Sequence, residues 1–309
     1  MKKRRNYLIT LCCMFALGIL LVIVGGAMGG NLADASITQD KFEDKAIDKT
    51  INDSSDIKNL SVDVEAMDVV LKEGSEFSVK GNGVSKCEVK NGTLNIVSRF
   101  QRKFRLFHFI PLSLSLSNIF GDKSDRKITI TIPAGRQLSE ISLDASAIDF
   151  KIDRLSCEKL NINVAAGSIR IDELDSNKAD ISVSAGDIRV NSFQIRGEGK
   201  FECNMGDIRL GNKETRTANL CNRLNADCSM GDVKYYGKLT GETDVDVTMG
   251  AISLMLTGAM SQYSFSTDTV LGDINHSDIP TSEKADTVYS TGHLSCTMGD
   301  ISVSYSEQN

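Results

Sequence analysis

The sequence predicts an all-β chain: a single-stacked β-solenoid with rungs of about twenty residues, an amino-terminal β cap and one amino-terminal transmembrane helix. Three observations lead there. The phrase SAGDIRV returns as NMGDIRL, SMGDVKY, TMGAISL, VLGDINH and TMGDISV. Stacking these phrases on their turn residue aligns Ile148, Gly167, Gly186, Gly206, Gly231, Gly250, Gly272 and Gly299, with steps of 19, 19, 20, 25, 19, 22 and 27 residues. Composition agrees, with no Trp, three Pro, and Val, Ile, Ser, Asp and Gly in short alternating runs.

The amino terminus, residues 1–30, reads as a basic tip and a membrane anchor. Lys2, Lys3, Arg4 and Arg5 precede an uncharged apolar run over 8–30, long enough to cross a hydrocarbon core of about 30 Å. The basic cluster holds that end in the cytoplasm, so the expected location is the cell membrane, single-pass, with the carboxyl-terminal domain extracytoplasmic. A cleaved secretory signal is the rival reading, since Ala33-Asp34-Ala35 suits signal peptidase. The length of the apolar run favours the anchor.

Residues 31–57 read as an extracytoplasmic polar linker in which SITQDKFEDKAIDKT suggests a short helix. Residues 58–140 read as the β cap, with alternating strands in SVDVEAMDVVLKEG, SEFSVKGNG, KCEVKNGTLNIVSR and RKITITIPAG. An insertion over 97–127 interrupts it. There RFQRKFRLFHFIPLSLSLS mixes basic and aromatic residues, and Arg105, Phe107, Phe109, Ile110 and Leu112 form a candidate membrane or partner contact. The repeat solenoid occupies 141–309.

Within the repeat, alternation assigns each column a face. Two places after the turn stand Phe150, Ile169, Ile188, Ile208, Val233, Ile252, Ile274 and Ile301, a core column. Near the carboxyl end His276 takes a core-column aliphatic's place and is expected to be half buried. Three places before the turn, Cys203, Cys228 and Cys296 alternate with Val and are read as core. Immediately before it stand Ala147, Ala166, Ala185, Met205, Met230, Met249, Leu271 and Met298, also read as core, with methionine as gap-filler rather than metal ligand. The turn column itself is expected to need glycine, at Gly167, Gly186, Gly206, Gly231, Gly250, Gly272 and Gly299, because the corner requires φ > 0.

Outside the core, carboxylates follow the turn and basic residues follow two places later. Asp187, Arg189, Asp207, Arg209, Asp232 and Lys234 are therefore a candidate outer-ladder binding face. Beyond Gly30 the chain keeps all 41 acidic residues and 31 of its 35 basic ones, a net charge of −10, which excludes nucleic acid as the expected partner. The cysteines lack the CxxC pairs of a zinc site. No cofactor, metal site or catalytic residue is expected.

The entry strands ending in ITITIPAG and the tandem SAGDIRV-like phrases resemble the bacterial putative-adhesin family, from Ile57 to the carboxyl terminus. That resemblance implies an extracytoplasmic β-helix on a membrane-anchored envelope protein, of otherwise unknown function, and supplies no catalytic residues. The chain departs from tidy copies at Met67, Ile148 and Ala251. The expected function is a non-enzymatic, adhesin-like or envelope-stress-associated binding module whose partner is another envelope protein or a cell-surface polymer. A self-assembling envelope scaffold is one alternative. A polysaccharide-acting β-helix enzyme using Asp187, Asp207 and Asp232 is the other; against it, these carboxylates recur on every rung as a structural device does.

Overall fold

In the central repeats each rung is one long strand passing through a gentle bend, and the glycine phrase separates it from the next. Phe150–Ala166, Ile169–Ala185 and Ile188–Met205 are such rungs. They pair in parallel and in register, so that Phe150 meets Ile169, and Ile169 meets Ile188. The computed structural model describes residues 46–51, 56–98, 126–277 and 288–306. These belong to one unit, 43–100 with 123–309. The expected transmembrane segment and Arg105, Phe107, Phe109, Ile110 and Leu112 lie outside the described residues. Among the described residues no helix is long and apolar enough to cross a membrane.

Stacking buries the inward columns, which are mostly apolar. Ile169, Ile188, Ile208, Val233, Ile252 and Ile301 are fully buried, and Cys203, Cys228 and Cys296 are buried with them. A column of Val and Ile fits this surface because branched side chains pack well on a pleated sheet. The 25-residue step from Gly206 to Gly231 holds a loop between Leu210 and Leu220. Asn219 mends the ladder there. Its buried side chain accepts from the Phe193 N–H at 3.0 Å and donates to the Tyr236 carbonyl at 2.9 Å.

The order of rungs departs from the order of the sequence at both ends. At the carboxyl end Gly241–Met249 pairs with Ser290–Met298, which pairs on its other side with Tyr263–Leu271. The Gly299 rung is therefore inserted between those of Gly250 and Gly272, although sequence order places Gly272 beside Gly250. The outermost rung is consequently incomplete on one side. Ile274 is 39% exposed, and His276 is exposed rather than half buried.

At the amino end the same exchange occurs. Asn59–Val64 pairs in parallel with both Thr93–Ser98 and Leu138–Ala147, while Asp68–Gly74 lies between Lys127–Pro133 and the Phe150 strand. The strands of 58–140 thus add two rungs to the same parallel ladder. Met67 and Ile148 occupy the turn column of the first regular rungs and are buried, without glycine's backbone conformation. Antiparallel strands close this end: Ala46–Thr50 pairs with Ser78–Asn82, and Lys86–Lys90 with Thr93–Ser98. From Ala46 onward the segment read as helix is therefore a strand.

Candidate functional site

The glycine corner organises the surface, and its hydrogen bonds explain the repeated phrase. Gly186 donates its N–H to Met205 O at 2.8 Å, Gly206 to Met230 O at 2.9 Å, and Gly231 to Met249 O at 2.9 Å. The corner glycines hold φ between 131° and 152°, a region L side chains rarely enter. A Cβ on Gly206 would also run into the carbonyl of Gly186 on the next rung, and one on Gly231 into that of Gly206. Glycine is required twice, for its dihedral and for the closeness of the stack.

Aspartate after the glycine completes the corner. Asp187 Oδ1 accepts the N–H of Asp207 at 3.0 Å, Asp207 Oδ1 that of Asp232 at 2.9 Å, and Asp232 Oδ1 that of Ala251 at 3.0 Å. Asp149 does the same for Ser168, at 2.7 Å. These carboxylates are backbone caps as well as outward charges. The thiols contribute too: Cys203, Cys228 and Cys296 donate to the carbonyls of Gly186, Gly206 and Gly250 at 3.2–3.3 Å. Burial pushes the Cys157 and Cys221 thiols up to about 12, leaving both protonated at neutral pH and poor nucleophiles. Cys203 and Cys228 are register partners and free thiols.

The basic residues three places after the turn, Lys151 and Arg170 as well as Arg189, Arg209 and Lys234, align as the sequence suggested. Lys151, Arg170, Arg189, Arg209 and Lys234 are successive register partners on five rungs, a stripe of about 19 Å at one strand spacing each. Arg189 pairs with Asp187 and Lys234 with Asp232, both at 2.8 Å; Lys151 pairs more loosely with Asp153 at 3.7 Å. Arg170 and Arg209 have no carboxylate within ion-pairing distance among the described residues. The Nε of Arg209 is buried with no hydrogen-bond partner. A shallow groove of about 310 Å³ runs beside this stripe, between Lys151, Arg170 and Arg189 and the corner residues Asp149, Ser168 and Asp187.

The column before the glycine is the main correction to the sequence reading. Met205, Met230, Met249 and Met298 are 40–51% exposed and Leu271 is 64% exposed, so they are surface rather than core. Strict alternation carries them inward from Cys203 and its equivalents. The corner breaks that alternation, turning the residue before each glycine to the outside of the bend.

The family model described as Toastrack DUF4097 matches residues 57–304. The chain belongs to this family. No curated protein matches it. Among solved structures, a putative adhesin of Bacteroides fragilis shares 14% identity over 85% of this chain and 97% of its own, with a TM-score of 0.41. A putative adhesin of Parabacteroides distasonis shares 16% over 85% and 98%, with a TM-score of 0.40. A structure from the same organism called a putative lipid binding protein shares 14% over 86% and 98%, also with a TM-score of 0.40. The Toastrack assignment agrees with the all-β, solenoid-like ladder seen here and with a putative-adhesin-like family of unknown function.

Proposed function

We propose that this Toastrack protein is a non-enzymatic binding module, anchored in the bacterial membrane by its first 30 residues, that holds an anionic cell-surface polymer along the basic stripe. The observation that carries this reading is the in-register alignment of Lys151, Arg170, Arg189, Arg209 and Lys234, with Arg170 and Arg209 beyond ion-pairing distance of any described carboxylate. Evenly spaced cations on a rigid sheet suit a linear chain of anions, and an unpaired guanidinium makes bidentate contact with phosphate or carboxylate. Against catalysis, the acids expected of a β-helix enzyme are committed: Asp187 and Asp232 hold a corner N–H with one oxygen and a cation with the other. The segment holding Arg105, Phe107, Phe109, Ile110 and Leu112 adds a basic-aromatic contact toward lipid headgroups, in keeping with an anchored protein.

The test is binding of full-length protein in nanodiscs to a linear glycerol-phosphate polymer, with uncharged dextran as control. Binding should weaken with salt and fall about tenfold or more in the Arg170→Glu, Arg209→Glu double variant. Equal binding of dextran, or an unaffected double variant, would contradict the reading.

A further inference from the structure

The outward turn of the residue before each glycine produces a surface that strict alternation conceals. Register pairs Met205 with Met230, Met230 with Met249, Met249 with Met298, and Met298 with Leu271. Five half-exposed apolar side chains therefore form one unbroken ridge about 19 Å long. At its far end Val270 and Ile274 are also exposed, at 75% and 39%. The equivalent positions at the other end of the same line are Ala147, Ala166 and Ala185. A row of alanines closes a corner equally well, so the corner does not require methionine here.

The flanks of the ridge are acidic on both sides. Four places before the glycines the first flank runs Glu202, Asp227, Asp246, Ser295 and Asp268, acidic in four rungs of five. On the second flank Asp207, Asp232, Ala251, Asp300 and Asp273 follow the glycines, acidic in four rungs of five. Burial, with Asp246 and Glu202 beside it, holds the Asp227 carboxyl above its ordinary range, a sign of crowded negative charge. Among the described residues, Lys and Arg pair with the flanks only at the near end, Lys200 with Glu202 and Lys234 with Asp232, while His293 lies 3.8 Å from Asp268 at the far end. From residue 241 to 277 and from 288 to 306 the sequence has no Lys or Arg.

We infer that the methionine ridge is a docking surface for a cationic amphipathic segment of a partner protein, its apolar stripe on the thioethers and its basic edges on the flanking carboxylates. Methionine suits this role because its unbranched, polarizable side chain adapts to differing apolar partners. The double acidic border selects a cationic occupant and disfavours an anionic bilayer. A stripe of this size supports a transient contact rather than an obligate one. The ridge adjoins the basic stripe on the Gly206 and Gly231 rungs and leaves it behind from Gly250 onward, where the basic column ends.

Methionine oxidation reads out this contact residue by residue. Full-length protein in nanodiscs would be treated briefly with peroxide, with or without an 18-residue amphipathic Leu/Lys peptide, and sulfoxide at each methionine quantified by mass spectrometry. The peptide should slow oxidation of Met205, Met230, Met249 and Met298 about fivefold or more, as expected for thioethers removed from solvent. Met260, 39% exposed and off the ridge, should oxidise unchanged. A Leu/Glu peptide of the same length should give no protection. The Met205→Ala, Met230→Ala, Met249→Ala variant, which copies the corner of the earlier rungs, should fold normally and abolish protection at Met298. Three results would overturn the proposal: equal protection by the Leu/Glu peptide, protection at Met298 that survives the triple variant, or protection by the lipid of the nanodisc before any peptide is added.

Discussion

The two halves of the solenoid share one backbone and present opposite surfaces along the same corner. In the rungs of Ile148, Gly167 and Gly186 the corner is lined with alanine and faced by Lys151, Arg170 and Arg189. In those of Gly250, Gly299 and Gly272 it is lined with Met249, Met298 and Leu271, and the basic column has become Ser253, Ser302 and Asn275. The Gly206 and Gly231 rungs carry both features. What stays constant is what the stack needs: the inward aliphatic, the glycine and, in most rungs, the hydrogen-bonding aspartate. Positions that face solvent are free to change along the ladder, so one repeat can present two different contact surfaces.

The comparison breaks most readily at the glycines, where the halves should respond alike. Gly186→Val and Gly250→Val should each cost about 3 kcal/mol or more, because a left-handed-region backbone and a contact with the neighbouring carbonyl are both violated. Chemical denaturation checks this, and a normal midpoint for either variant would show that its corner is not under the constraint described.

A smaller effect separates the halves. The Asp227 carboxyl is raised first by burial and then by Asp246 and Glu202. A raised folded value favours the protonated form, so the associated stability is present at low pH and lost as pH rises through that value. Asp227→Asn should therefore raise the unfolding midpoint at pH 7 and leave it unchanged near pH 3. No gain at pH 7 would mean that the carboxyl half is not crowded with negative charge.

The smallest effect distinguishes ridge from core. Met249→Ala should cost less than about 1 kcal/mol, against roughly 2 to 5 for a methionine buried in a core. Arg209→Ser should be similarly mild, since Ser253 already occupies that column one rung beyond Lys234. A core-sized loss at Met249 would restore the inward reading of the column.

The corner and the inward columns were legible in the sequence because they repeat with a fixed phase: Ile169, Ile188 and Ile208 are recognisable without coordinates. Met205 was misassigned because alternation from Cys203 predicts an inward side chain, and nothing local announces that glycine reverses it. The rung order was hidden for a different reason. VLGDINH and TMGDISV fit the ladder equally well, and which of them sits beside the Gly250 rung is decided by how the chain crosses the end of the stack. The strands of 58–140 were visible singly, but hairpins between them hid their membership of the parallel ladder. The basic column was legible as alternating charges; that Arg170 and Arg209 lie beyond ion-pairing distance of any described carboxylate was not.

The order of the ridge's last two members, with Leu271 outermost, depends on the Gly299 rung lying between those of Gly250 and Gly272. Paired cysteines test that order directly. In register, residues 249 and 298 stand one strand spacing apart, about 4.8 Å, inside disulfide range, while 249 and 271 stand two spacings apart, about 9.6 Å, and outside it. After mild oxidation, non-reducing peptide mapping should find the bridge in the Met249→Cys, Met298→Cys variant and none in Met249→Cys, Leu271→Cys. A bridge in the second variant and not the first would return the rungs to sequence order and put Met298 rather than Leu271 at the end of the ridge.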